Sequence, residues 1–203
     1  MFNNRAFSKI AAPLIVISIL GWVFFYSSLF AQDNGAISDG ETLPDNEDWS
    51  FMESNFFAVY YNPLLNLEDL KEALTKRPLY FDQSARYGEI TAQEEICQRL
   101  DRLYNRVQDS LDMHPKTPRI KIKIFKDRDE LNGEFVKIFG KKGGFRSFYV
   151  YKYNTIYTSE SDIGDSVIIH ETAHAIIDHY FSVIPPETVG EILAAYVDAH
   201  LEE

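Results

Sequence analysis

The sequence predicts an α+β domain in which helices pack against a small mixed sheet. Three observations carry that expectation. Short runs rich in β-branched and aromatic residues recur at 53–62, 119–125, 145–151 and 154–158. Helical periodicity or helix-end signals mark 66–77, 91–113, 127–140, 163–181 and 188–201. The two kinds interleave in the order β-α-α-β-α-β-β-α-α, with no internal repeat.

The chain opens on an address. Arg5 and Lys9 precede an apolar run from Ile10 to Phe30, interrupted by Ser18, Gly21, Ser27 and Ser28. A basic start, an apolar stretch and the small residue Ala31 are the marks of a secretory signal cut before Gln32. The same run, at ~21 residues, is long enough to stay as a single membrane anchor over residues 10–30, its basic end in the cytoplasm. Residues 1–31 are therefore a signal peptide or an anchor. Either role exports the rest of the chain, to a periplasmic or extracellular setting. No cysteine follows the run, so a lipoprotein anchor is excluded. Residues 32–50 are polar, acidic and rich in turn formers, and read as a linker to a domain over 51–203.

Within that domain, "ESNFFAVYYN" (53–62) is the first strand. "NLEDLKEALTKR" (66–77) is a short helix ended by Pro78. The long helix over 91–113 repeats Ile96, Leu100, Leu103, Val107 and Leu111 along one face. Cys97 within it reads as a small, half-buried apolar residue. "RIKIKIF" (119–125) alternates apolar and basic residues, which predicts a strand with one face in water. Asp127 is suited to cap the next helix, and Gly140 to end it. "FRSFYVY" (145–151) and "NTIYT" (154–158) read as two strands joined tightly. "SESD" is expected to cap a helix from Ile163 to about Phe181. Pro185 and Pro186 then break the chain before a last helix.

Charge and cysteine content exclude several classes. The net charge is −11, and residues 32–203 carry 18 basic against 31 acidic groups. Such a body repels phosphate backbones, which argues against a nucleic-acid partner. Cys97 is the single cysteine, so neither a disulfide framework nor a multi-cysteine zinc site can form within the chain.

The chemistry concentrates in "VIIHETAHAII" (167–177). His170 and His174 are four residues apart, so they lie ~40° apart around a helix and one turn apart along it. Two imidazoles so placed can reach one Zn²⁺. Glu171 lies ~100° from His170, which suits a general base acting on a water beside the ion better than a third ligand. Ile169, Ala173, Ile176, Ile177 and Tyr180 form the apolar stripe expected to bury this helix. Catalytic zinc usually takes three protein ligands. Glu191 in the last helix is the candidate third, with Ala194 and Ala195 leaving room for a neighbouring helix. Thr188 and Glu191 also have the spacing of a capping box, in which the glutamate only satisfies its own helix. Glu187 and Asp198 stand in reserve. Asp198 is either an acceptor for a histidine N–H or a surface charge. Asp178, His179 and His200 read as surface residues.

"HETAH" followed by a short apolar helix carrying "GEILAAY" resembles the gluzincin branch of the zincin metallopeptidases, nearest the bacterial peptidase-MA-like families. There the third ligand sits in a Glu-x-x-Ala-x-Tyr-like helix, matched here by Glu191, Ala194 and Tyr196. The resemblance covers about residues 145–201. It implies a zincin-like small mixed sheet, an active-site helix and a following glutamate-bearing helix. It implies zinc held by His170, His174 and Glu191, Glu171 as base and proton shuttle, and a peptide or protein substrate. It also implies that "YNTIYT" (153–158) is the edge strand above the cleft, open to pairing with an extended peptide. Tyr157, Tyr180 and Tyr196 are the tyrosines available to stabilise an oxyanion. Other zinc classes fit less well. "HAIIDHYFSVI" lacks the glycine of the metzincin form, and Cys97 lies in a helix unrelated to a deformylase ligand. The competing function is a non-catalytic envelope binding module on the same scaffold, for which an intact Glu171 would be superfluous.

Overall fold

The computed structural model describes residues 49–75 and 90–201. The signal or anchor segment, nearly all of the linker, and Pro78 lie outside them. No helix among the described residues is long and apolar enough to cross a membrane. The described chain is a mixed α+β fold of five strands and five helices. The strands are β1 (Ser50–Glu53), β2 (Phe57–Tyr61), β3 (Ile120–Phe125), β4 (Ser147–Val150) and β5 (Thr155–Ser159). The helices are α1 (Leu67–Thr75), α2 (Ala92–Leu111), α3 (Arg128–Phe139), α4 (Asp165–Tyr180) and α5 (Glu187–Leu201).

The sheet order is β1-β2-β3-β5-β4. β2, β3 and β5 run parallel, flanked by antiparallel β1 and β4. The expected first strand is in fact a hairpin that begins at Ser50. Ser54 closes it, its amide donating to the Phe57 carbonyl at 2.9 Å and its hydroxyl accepting from the Phe57 amide at 3.0 Å. The Asp101 carboxylate on α2 accepts from the Asn55 and Phe56 amides, which ties the turn to that helix.

"YNTIYT" was expected at an edge. The structure puts β5 inside the sheet, paired with β3 on one side and β4 on the other. Among the described residues β4 takes that edge and β1 the other. Ile122 on β3 faces Val59 and Ile156 in register, so the central strands present one continuous apolar face. Helices α1, α2, α4 and α5 form the core over that face. The other face of β3 is not wet, contrary to its lysine pattern, because α3 packs over β3 and β5. Lys123 is buried, its Nζ 5.6 Å from the centre of the Tyr157 ring. Phe135 of α3 meets Phe148 edge-on, and Phe148 stacks on Tyr157.

Local signals set most helix ends. Thr91 Oγ1 accepts from the Glu94 amide at 3.2 Å while Glu94 accepts from the Thr91 amide at 2.8 Å, a full capping box. Four of the five predicted apolar positions of α2 are buried, and Leu111 is half-buried. Asp127 accepts from the amides of Asp129 and Glu130, and α3 ends at Gly140 with φ 66°, a left-handed cap that favours glycine.

The expected cap of α4 is absent. Gly164 precedes the helix with no side-chain cap. Asp162 is instead buried. It accepts from Arg128 Nε at 2.6 Å, Ser159 Oγ at 2.9 Å and Arg146 Nε at 3.1 Å. The Arg128 hydrogen bond, opposed by burial and helped by Ser159 and Arg146, holds this carboxyl well below the usual carboxylate range. A depressed acid stabilises the fold above its unfolded pKa and loses that contribution as pH falls. Asp162→Ala should therefore cost about 1–3 kcal/mol at neutral pH. Melts across pH should show the gap to wild type narrowing between about pH 4 and 2.

α4 is seated by its apolar side and by a pair at its start. Asp165 in its first turn receives Arg99 of α2, whose side chain is almost wholly buried. Ile168, Ile169, Ala173, Ile176 and Ile177 are buried. Each isoleucine contributes about 1.5–3 kcal/mol by leaving water. The stripe stops there. Tyr180, expected within it, is 49% exposed, because the chain turns to extended backbone at Phe181.

Candidate metal centre

α4 packs against α2, α5 and the edge strand β4, and this places its polar residues. His170 and His174 point their Nε2 atoms at one another across 3.2 Å. α5 returns antiparallel over them after Pro185 and Pro186. It begins at Glu187, so Thr188 lies inside the helix and cannot be its cap. The Val189 and Gly190 amides donate to the Pro186 carbonyl instead. The capping-box reading of Glu191 is thereby overturned. Its carboxylate faces α4, with Oε1 3.4 Å from His174 Nε2 and Oε2 3.8 Å from His170 Nε2.

Small residues permit this approach, though not the pair expected. Gly190 and Ala194 are buried toward α4, whereas Ala195 is exposed. A Cβ at position 190 would stand 3.5 Å from His174 Nδ1, so anything larger than alanine would press on that ring. A glycine inside a predicted helix, next to the candidate ligand, was the available signal for this contact.

One donor atom from each of His170, His174 and Glu191 lies within 4.8 Å of the others. Two donors about 2.05 Å from a tetrahedral ion stand about 3.3 Å apart. The histidine separation of 3.2 Å and the His174–Glu191 separation of 3.4 Å fit that requirement, and the His170–Glu191 separation of 3.8 Å needs only a small turn of the carboxylate. All three side chains are half-buried, so an ion there would be partly shielded.

Asp198 belongs to the cluster. It lies about two turns beyond Glu191, and its Oδ2 accepts from His170 Nδ1 at 2.8 Å. That contact turns the other nitrogen of His170 toward Glu191 and His174. Burial disfavours the His170 imidazolium. The Asp198 hydrogen bond and the charges of Glu171, Asp198 and Glu191 outweigh it and raise its pKa to about 9. An incoming cation must displace that proton. Glu191 moves the other way, its carboxyl lowered by the His174 hydrogen bond against the opposing effect of burial.

Glu171 leaves the ligand face, as its helical offset predicts. It is only 5% exposed, and its Oε1 accepts from Ser147 Oγ at 2.6 Å. Ser147 opens the edge strand β4, and no motif in the sequence pointed to it. Glu187 stays one turn before Glu191 and outside the triad, its carboxyl raised by burial and by the Glu191 charge. Asp178 is not a freely solvated residue. It is half-buried, and burial pushes its pKa up to about 6 against the pull of His174.

His179 lies away from the triad, its Nε2 3.1 Å from Asn154 Oδ1. His200 is exposed and meets its own backbone at the Tyr196 carbonyl. Of the three tyrosines, Tyr157 is wholly buried on the far face of the sheet, while Tyr180 and Tyr196 remain about half exposed. No family model, no characterised protein and no solved structure matches this chain. The site is therefore read from its own geometry.

Proposed function

We propose that the protein is an exported zinc-dependent peptidase of the gluzincin type. The observation that carries this reading is the convergence of His170, His174 and Glu191 from two helices, beside a buried glutamate that is not part of the triad. Two imidazoles and one carboxylate are a donor set known for catalytic zinc. When bound, zinc supplies a Lewis acid that makes water acidic near neutrality and polarises a carbonyl. The triad would hold the ion. Glu171 would take the proton of the attacking water on its free oxygen, Oε2, and pass it to the leaving amine. Asp198 would hold the His170 ring and its tautomer. The N-terminal segment supports export.

The edge of β4 offers a place for an extended peptide. Among the described residues β4 is paired with β5 alone, and it runs beside α4. Strand addition there would lay a peptide across Ser147, next to Glu171. The test is metal analysis of the purified full chain, followed by its incubation with a peptide library. One equivalent of zinc and cleavage abolished by chelator are expected. Zinc without cleavage, or no zinc at all, would sink the peptidase reading and favour a binding module on this scaffold.

A further inference from the structure

We propose that Ser147 is a positioning residue that fixes the general base Glu171 for proton transfer. This rests on the peptidase reading above. A carboxylate that is 5% exposed has lost most of its water and needs a donor. Ser147 Oγ supplies one at 2.6 Å, the length of a charge-assisted O–H···O⁻ bond. It engages Oε1 and leaves Oε2 for chemistry.

The donor sits on a rigid element. Ser147 is the first residue of β4 and is in register with Thr158 of β5. Side chains alternate along that strand. Phe148 and Val150 are buried, Phe148 stacking on Tyr157 beneath the sheet. Ser147 and Tyr149 take the opposite face, toward α4, and Tyr149 reaches Asn154 and His179. The strand therefore cannot rotate Ser147 away without unpacking Phe148. Glu171 has three side-chain torsions of its own, and the donor that meets its carboxylate comes from β4 rather than from α4. A fixed hydroxyl on the neighbouring strand removes that freedom before substrate arrives, which is the purpose of preorganisation. Among the described residues the same strand carries the open edge, so one element would register both the substrate and the base.

The test compares Ser147→Ala with the near-isosteric pair Ser147→Thr and Ser147→Val, all zinc-loaded. The expected result is a loss of about 10- to 100-fold in kcat for the alanine and valine variants, with KM and zinc content unchanged. Threonine, which keeps the hydroxyl, should recover most of it. A second reading needs no turnover. In the metal-free protein the Glu171 carboxyl ¹³C resonance, identified by its loss in Glu171→Gln, should move in the alanine and valine variants and return with threonine. Wild-type kcat in Ser147→Val, or an unmoved Glu171 resonance, would overturn the proposal. So would a rise in KM at constant kcat, which would place Ser147 in substrate binding alone. A zinc-loaded wild-type chain that cleaves no peptide would overturn the peptidase reading first, and the positioning role with it.

Discussion

Glu171→Gln should keep its zinc and lose about 10²- to 10⁴-fold in kcat. The substitution is isosteric and removes the basic oxygen. Glutamine retains a carbonyl oxygen that can accept from Ser147, so the side chain has reason to stay where the glutamate lies. It is not in the triad, so its charge is not needed to hold the ion. What it cannot do is take a proton from water and return it to an amine. Metal stoichiometry and hydrolysis rate on the same preparation separate the two properties. A variant that cleaves at the wild-type rate would remove Glu171 from the mechanism. A variant that loses zinc as well would show that the residue supports the metal site rather than the chemistry.

How much of this arrangement could be read from the sequence depends on the range of the forces that set it. The placement of His170, Glu171 and His174 follows from helical geometry alone, and α4 splits them as expected. The cap at Asp127 is equally local and was legible. Glu191 was legible as a residue but not as a role. A helix start two residues further on would have made it a capping-box partner, and the Pro186 carbonyl decided otherwise by receiving the Val189 and Gly190 amides.

Sheet order was not legible. β4 and β5 are both short and apolar, and a hairpin does not say which of its strands joins β3. Packing on both faces decided it, and the same packing buries Lys123 in a strand whose alternation reads as half-wet. Ser147 lies 24 residues before Glu171. No periodicity connects positions that meet only because an edge strand runs under a helix. Asp178 was misread for a similar reason, since helical spacing does not report the burial that perturbs it.

The triad and its support should separate in strength when each member is removed. His174→Ala deletes one nitrogen of the pair that stands 3.2 Å apart, leaving one imidazole and one carboxylate. Two donors do not complete a site that needs three, so this variant should retain no zinc after dialysis. Glu191→Ala leaves both imidazoles in place on α4 but removes the one donor atom that α5 gives the triad, and should fail in the same way. Asp198→Ala is different. It removes the acceptor at 2.8 Å from His170 Nδ1 and leaves every donor atom present. The ring loses its orientation and its preferred tautomer, which should weaken zinc by about 10- to 100-fold without abolishing it. Thermal melts with added metal read the series directly. At a hundredfold excess over Kd, zinc should stabilise the wild type by about 2.7 kcal/mol, a shift of about 5–10 °C. His174→Ala and Glu191→Ala should show no shift, while Asp198→Ala should recover it at higher zinc. A Glu191→Ala variant that still binds like wild type would make α4 the source of the protein's ligands, and would leave α5 only the support that Asp198 gives His170.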